Sequence, residues 1–394
     1  MSKREQRKQR LASAASLALG TLPIVEAMGL PLRDLLRLCE TDKSFYERCA
    51  VIMGDILKRV EVEDPALLLG FLRHVATAPL IDDRLREACI RRLQWRKTIS
   101  VGSSHALALL DDGSVVGWGD DRALHPTERG RYVSVSAGFL QSVALLDNGR
   151  LVKWGDVNLM RLIYLPPAPP AGHRYVSVSA AGGYNSLALL DNGDVRAWGS
   201  ELFGHVTNKD AALRGRRCVA VADGWSYSLA LLEDGQVVGW GRDDVRQATG
   251  AAGALPAGRR YIAISAGSSF GVGLLDNGEI AVWGSEAVVN DARRVNQEVR
   301  NRGRRFVNIS AGSLHALGLL DSGEVVGWGE DNNGQSSGGG TALAASEGNR
   351  YVAIAAGTDL SMGLVDNGRI VFWGTDKYVK VRVVEPPPGR TFVW

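Results

Sequence analysis

Polar and apolar positions repeat along the last three quarters of the chain. Seven times an apolar run leads into Asp or Glu, one residue and Gly, and a second apolar run then ends in Trp-Gly. The copies are LLDDGSVVGWG (109–119), LLDNGRLVKWG (145–155), LLDNGDVRAWG (189–199), LLEDGQVVGWG (231–241), LLDNGEIAVWG (274–284), LLDSGEVVGWG (319–329) and LVDNGRIVFWG (364–374). Each reads as a β-hairpin, because a turn of this kind needs positive φ, which Gly and Asn tolerate. Upstream of six copies stands a period-two segment such as Tyr132–Gly138 or Tyr261–Gly267, rich in β-branched residues, which predicts another strand. A unit thus holds three strands and a connection with room for a fourth.

Units of 36 to 45 residues, measured from Trp118 to Trp154 and on to Trp373, have the size of propeller blades. Seven copies favour a closed ring over a superhelical β-solenoid. The Trp should pack between neighbouring blades, and the Gly after it permits close backbone approach. The tail Gly389–Trp394 resembles the opening of a unit, Gly258-Arg-Arg-Tyr261, while the first unit starts at Trp95-Arg96 without that aromatic. Residues 389–394 are therefore expected to pair with the first unit, hide a sheet edge and close the ring. Residues 21–95 read as helices: Asp64-Pro65 is a start signal, and Leu67, Leu68, Phe71, Leu72 and Val75 form an apolar stripe. The expected fold is an all-β seven-bladed β-propeller over 96–394, preceded by a small all-α N-terminal domain over 21–95 and a basic tail over 1–20.

The repeat resembles that of the regulator of chromosome condensation family, a seven-bladed propeller. The matching residues stand best as Ala311-Gly312-Ser-Leu-His315-Ala-Leu-Gly-Leu-Leu-Asp321-Ser-Gly323 with Trp328-Gly329. The family often follows Trp-Gly with an Asn and then Gly-Gln; here the sixth unit comes near, with Asp331 and Gly334-Gln335. The segment Leu22-Pro23…Leu30-Pro31…Leu35-Leu36 resembles an F-box, or the F-box-like heads that precede repeat arrays in large DNA viruses. That resemblance implies binding of a Skp-type adaptor, with Leu22, Pro23, Leu30, Pro31, Leu35 and Leu36 as contacts. The other reading of the head is a helical cap on the propeller.

Composition changes this picture little. Ten tryptophans and 47 glycines are mostly absorbed by the repeat. Net charge is +3, divided as 18 Lys/Arg against 13 Asp/Glu over residues 1–97 and 28 against 30 thereafter. Cys39, Cys49, Cys89 and Cys218 make no metal or disulfide pattern, which points to an intracellular protein, cytoplasmic or nuclear and not secreted. Lys3 to Arg10 before the run Leu11–Gly20 could pass for a targeting peptide, but the run is weakly apolar and reads as a solvated tail leading into a helix. No apolar stretch reaches the length of a membrane span.

No catalytic residue, metal site or cofactor is expected. His105 and His315 share a slot that elsewhere holds Gln141, Asn185, Tyr227, Phe270 and Leu360, so the slot is structural. The Asp-x-Gly sites lack calcium-loop spacing. Six arginines, Arg131, Arg174, Arg217, Arg260, Arg305 and Arg350, precede the first strand of units two to seven. They could bind anions or nucleic acid, or each could pair with a turn Asp or stack on a Trp, the reading the near-neutral body favours. The residues after each unit's first Gly vary, and in units two to four they are apolar or aromatic. Phe139, Leu140, Tyr184, Trp225 and Tyr227, with Leu314 and Asp359, form the expected partner-binding face, or else cover the channel mouth. Bacterial propeller inhibitors of β-lactamase, similar in their repeats, bind through such a face.

The expected function is a non-enzymatic protein–protein interaction scaffold, with the head as a route to ubiquitin ligation. Two alternatives follow. The family resemblance implies nucleotide exchange on a Ran-like small GTPase. The basic tail and arginines would suit a structural protein on nucleic acid or chromatin.

Overall fold

The computed structural model describes residues 97–393 apart from 121–123, 140, 156–165, 181–184, 200, 205, 339–348 and 376–382. The basic tail, the helical head with its F-box-like residues 22–36, and both Trp95 and Trp394 lie outside the described residues. The chain divides into compact units Met1–Glu63 and Asp64–Trp394, and the fold described is that of the second.

That unit is an all-β repeat fold of propeller type. Among the described residues seven antiparallel sheets follow one another along the chain, six of three strands and one of four. In the second sheet the strands are Tyr132–Ala137, Gln141–Leu146 and Leu151–Gly155, and the other sheets repeat this order. The first strand of sheets two to seven carries a bulge at its second residue, as between Tyr132 and Ser134. The hairpin chemistry is divided between two residues. Only the glycine takes positive φ, from Gly113 at 80° to Gly368 at 87°. The Asn or Asp before it instead accepts the backbone N–H two residues on, as Asn148 does from Arg150 at 3.0 Å.

Neighbouring sheets are stitched by serine hydroxyls that accept backbone N–H groups. Oγ of Ser100 accepts the N–H of Ala137, that of Ser136 the N–H of Ala180, and that of Ser310 the N–H of Ala356, each at 2.9 to 3.0 Å. The glycine ending each first strand matters because its neighbour is the backbone of the next sheet. A Cβ on Gly102 would stand 2.1 Å from the Gly138 carbonyl oxygen, and one on Gly357 would stand 2.5 Å from that of Gly102. The seventh sheet therefore meets the first as the first meets the second. Ile99, Val101, Leu360, Met362 and Phe372 share one buried cluster across that junction, together with Phe392.

Phe392 occupies the place that Tyr132 holds in the second sheet. It bridges Leu110, as Tyr132 pairs with Leu146. The Thr391 carbonyl accepts the N–H of Asp111 at 3.0 Å, as the Arg131 carbonyl accepts that of Asp147 at 2.9 Å. Its ring stands 5.9 Å from Trp118, edge to face, the partnership that Tyr261 makes with Trp283 at 5.7 Å.

The described connections are not alike. A fourth strand, Val383–Val384, is seen in the seventh sheet. Between the fifth and sixth sheets lies a helix, α1, Glu286–Asn301. Its Val288, Ala292, Val295 and Val299 fall on one face and are buried. Asn296 accepts the N–H of Ile280 at 3.0 Å and donates to its carbonyl, so the helix satisfies a strand edge that would otherwise be open.

The sixth unit's Asp…Gly-Gln loop also has a twin that its sequence conceals. Asp331 Oδ1 accepts the N–H groups of Ser336 and Ser337, and Asp243 Oδ1 accepts those of Ala248 and Thr249. The carbonyls of Gln335 and Gln247 accept the indole N–H of Trp373 and Trp283 at 3.0 and 2.9 Å. Where the sixth unit has Gly334 at φ 72°, the fourth has Arg246 at 62°. A left-handed conformation strains a non-glycine residue by ~1–2 kcal/mol, so Arg246→Gly should raise stability by ~1 kcal/mol in urea melts, net of glycine's greater unfolded freedom. An unchanged or lowered midpoint would contradict the shared loop geometry.

Candidate functional site

The first strands of all seven sheets line a central cavity of about 160 Å³. At one mouth stand the loops between first and second strands. The segments after Trp-Gly return to the same side: the N–H groups of Asp120, Arg242, Ser285, Glu330 and Thr375 donate to loop carbonyls of Ser104, Ser226, Ser269, Leu314 and Asp359.

The mouth has two unlike halves. Four consecutive sheets, the fifth, sixth, seventh and first, present Ser268, Ser313, Thr358 and Ser103. Oγ of Ser268 lies 2.7 Å from that of Ser313, and Thr358 donates its hydroxyl to Ser103 at 2.9 Å. The opposite half is aromatic. Phe139 and Trp225, from the second and fourth sheets, meet edge to face at 5.4 Å. Trp225 remains 42% exposed and Leu314 45% exposed, while Phe139 is half-buried and Asp359 exposed. Leu140 and Tyr184 lie outside the described residues.

Tyr227 corrects the expected face. It is fully buried, and its hydroxyl donates to the Phe270 carbonyl of the next sheet. Burial drives its phenol well above the usual range. The reason is its slot, which begins the second strand and points into the junction between sheets. There Gln141 reaches the Asn185 carbonyl at 3.4 Å, and Nε2 of His105 and His315 lie 2.8 Å from the hydroxyls of Ser142 and Ser361. Burial lowers both histidines to about 4, with Asp120 and Asp331 opposing it.

Two exposed apolar residues escape a reading confined to those loops: Phe203, 48% exposed, and Val245, 43% exposed. Both follow Trp-Gly, and the return of that segment to the loop side was the available signal. Phe203 carries φ 65° and lies under the Arg242 guanidinium, 5.8 Å from ring centroid to charge. Arg242 is itself held by Asp244 at 2.6 Å.

The six arginines stand at the other side, beside the hairpin turns. The carbonyl of each accepts the N–H of a turn acid, from Arg350 to Asp366 at 2.8 Å to Arg217 to Glu233 at 3.2 Å. Their side chains lie over the turn glycine of the preceding sheet, as Arg131 over Gly113. Acids interleave with them: Arg217 pairs with Glu233 at 3.6 Å and Arg260 with Asp276 at 3.9 Å. The position just before the slot pairs likewise, His173 with Asp191 and Arg390 with Asp111. For Arg217 and Arg260 the expected pairing with a turn acid is thus seen.

Two reactive groups sit in the core. Burial pushes the Cys218 thiol up to about 12 and the Lys153 amine down to about 8, and neither lines the cavity. Among the described residues no group of three or more His, Cys, Asp or Glu could hold a metal ion, and no helix is long and apolar enough to cross a membrane.

Three stretches, 97–123, 175–204 and 306–335, match the Regulator of chromosome condensation (RCC1) repeat. No curated protein sequence matches the chain. Among solved structures, the CRINKLY WD40 ectodomain of the Arabidopsis thaliana receptor kinase ACR4 is similar, with TM-score 0.55 and 18% identity over 73% of this chain and 99% of that one. Prp20p from Saccharomyces cerevisiae gives 0.53 and 18% over 71% and 82%. Human WBSCR16 gives 0.55 and 18% over 68% and 88%. At such identities the likeness is one of fold. The chain thus carries RCC1-like repeats in an RCC1-like propeller fold.

Proposed function

We propose that the described unit is a closed seven-bladed propeller acting as a non-enzymatic scaffold that binds a partner protein on its loop face. Closure rests on the contacts of Gly357 with Gly102 and of Phe392 with Leu110 and Trp118. The function rests on one observation above others. Phe139 and Trp225 form an aromatic pair at the channel mouth, and Trp225 keeps much of its surface open to solvent. Aromatic anchors of this kind dominate interface energetics. Among the described residues the hairpin side shows no comparable exposed aromatic pair, and the guanidinium groups of Arg217 and Arg260 pair with turn acids there, which argues against nucleic acid as the ligand.

Affinity purification of the full chain, with quantitative mass spectrometry, tests this reading. Trp225→Ala should lower recovery of a bound protein more than tenfold, the loss of a hot spot of at least ~2 kcal/mol. Arg131→Ala with Arg174→Ala should leave recovery unchanged. The reverse pattern would move the site to the hairpin side.

A second reading has the repeat match and the fold of Prp20p behind it, a protein with binding properties to Gsp1p and histones. On that reading the loop face engages a Ran-like small GTPase and speeds nucleotide release. Unaltered release from such GTPases at micromolar chain would remove it. Delivery of substrates to a ubiquitin ligase rests on residues 22–36 alone. A pull-down that recovers no Skp-type adaptor would end that version.

A further inference from the structure

The loop face combines its apolar anchors with a one-sided charge. Glu330 and Asp331 follow Trp-Gly beside the exposed Leu314, whose carbonyl accepts the Glu330 N–H at 2.9 Å. Asp359 stands exposed in the next loop, Asp120 beside the first, and Asp243, Asp244 and Glu201 around the fourth unit. Of the cations that follow Trp-Gly in the fourth unit, Arg242 is already paired with Asp244 through three contacts of 2.6 to 3.0 Å. The hairpin side, by contrast, interleaves arginines with acids. Among the described residues, acids thus mark the loop face, with Glu330, Asp331, Asp359 and Asp120 on the sixth, seventh and first sheets, across from the aromatic pair.

From these positions we propose that the loop face takes a basic peptide segment of its partner, laid across the channel mouth. This rests on the partner-binding reading above. An apolar side chain of the segment seats on Phe139 and Trp225. Its backbone passes over the hydroxyls of Ser268, Ser313, Thr358 and Ser103, which supply donors and acceptors without sequence demand. A Lys or Arg then meets Asp359, Glu330 and Asp120. The arrangement explains why the mouth is aromatic on one side and hydroxylic on the other. Electrostatic complementarity of this sort steers the encounter and makes affinity fall with salt.

A library of random dodecapeptides displayed on phage, selected on the full chain, provides the test. Enriched peptides should carry net positive charge and an aromatic or large aliphatic residue. Binding of a synthetic copy should fall ~tenfold or more from 50 to 300 mM salt. It should fall by a similar factor in the Glu330→Gln, Asp359→Asn double variant, and be lost in Trp225→Ala. Circular dichroism and unchanged melting would establish that both variants are folded. Enrichment of neutral or acidic peptides, or no enrichment, overturns the proposal. If Trp225→Ala abolishes binding while the charge-neutral double variant and salt have no effect, the loop face remains the site and the basic occupant is wrong.

Discussion

Lowering the pH from 6.5 to 4 is expected to remove ~5 kcal/mol of stability through His105 and His315 alone. Both imidazoles are fully buried, and burial lowers them to about 4 from the ordinary 6.5. The folded state therefore holds them neutral where the unfolded chain would protonate them. Their contribution is intact above 6.5 and is lost as the pH falls through 4, at ~1.4 kcal/mol per pH unit for each. A loss of this size is comparable with the whole stability of many domains. The second unit shows how to remove the liability, since Gln141 fills the same slot with a group that does not titrate. Urea midpoints measured from pH 7.5 to 4 should fall steeply in the wild type and distinctly less in the His105→Gln, His315→Gln variant. Parallel profiles would mean that the histidines are not held neutral.

Replacing Phe392 by Ala should cost ~3–5 kcal/mol, the range for a buried aromatic cut back to a methyl group. Its ring is 1% exposed, packs on Trp118 and lies in the cluster that joins the first and seventh sheets. Val383→Ala is the matched control, because Val383 is 37% exposed in the short fourth strand nearby; its effect should stay within ~0.5 kcal/mol. A loss below ~1 kcal/mol for Phe392→Ala would show that the tail adds little to the junction.

The repeat was readable because each of its residues answers a local demand. The hairpin glycine needs positive φ, the preceding Asn or Asp closes the turn, and Trp-Gly marks where the third strand meets its neighbour. What escaped the sequence depends on tertiary placement. The period of α1 is plain in Val288, Ala292, Val295 and Val299, yet nothing local says that a helix can replace a fourth strand by tying Asn296 to Ile280. The fourth unit's loop was hidden because Arg246 stands where a glycine is expected, strained into the same conformation. The site was less legible than the fold. Tyr227 and Trp225 are two residues apart and both aromatic, but Tyr227 begins the second strand and reaches the next sheet's carbonyl, while Trp225 stands in the loop before it and stays open. Phe203 and Val245 belong to connections whose return to the loop side shows only in the hydrogen bonds of the following segment.

The central claim is that this propeller works as a platform through its loop face. Hydroxyl-radical footprinting of the full chain, alone and saturated with the partner recovered by affinity purification, tests it most directly. Protection should concentrate on Phe203, Trp225 and Leu314, with the hairpin turns around Arg131, Arg174 and Arg217 unchanged. Protection confined to those turns, with Trp225 as reactive in the complex as in the free chain, would contradict it.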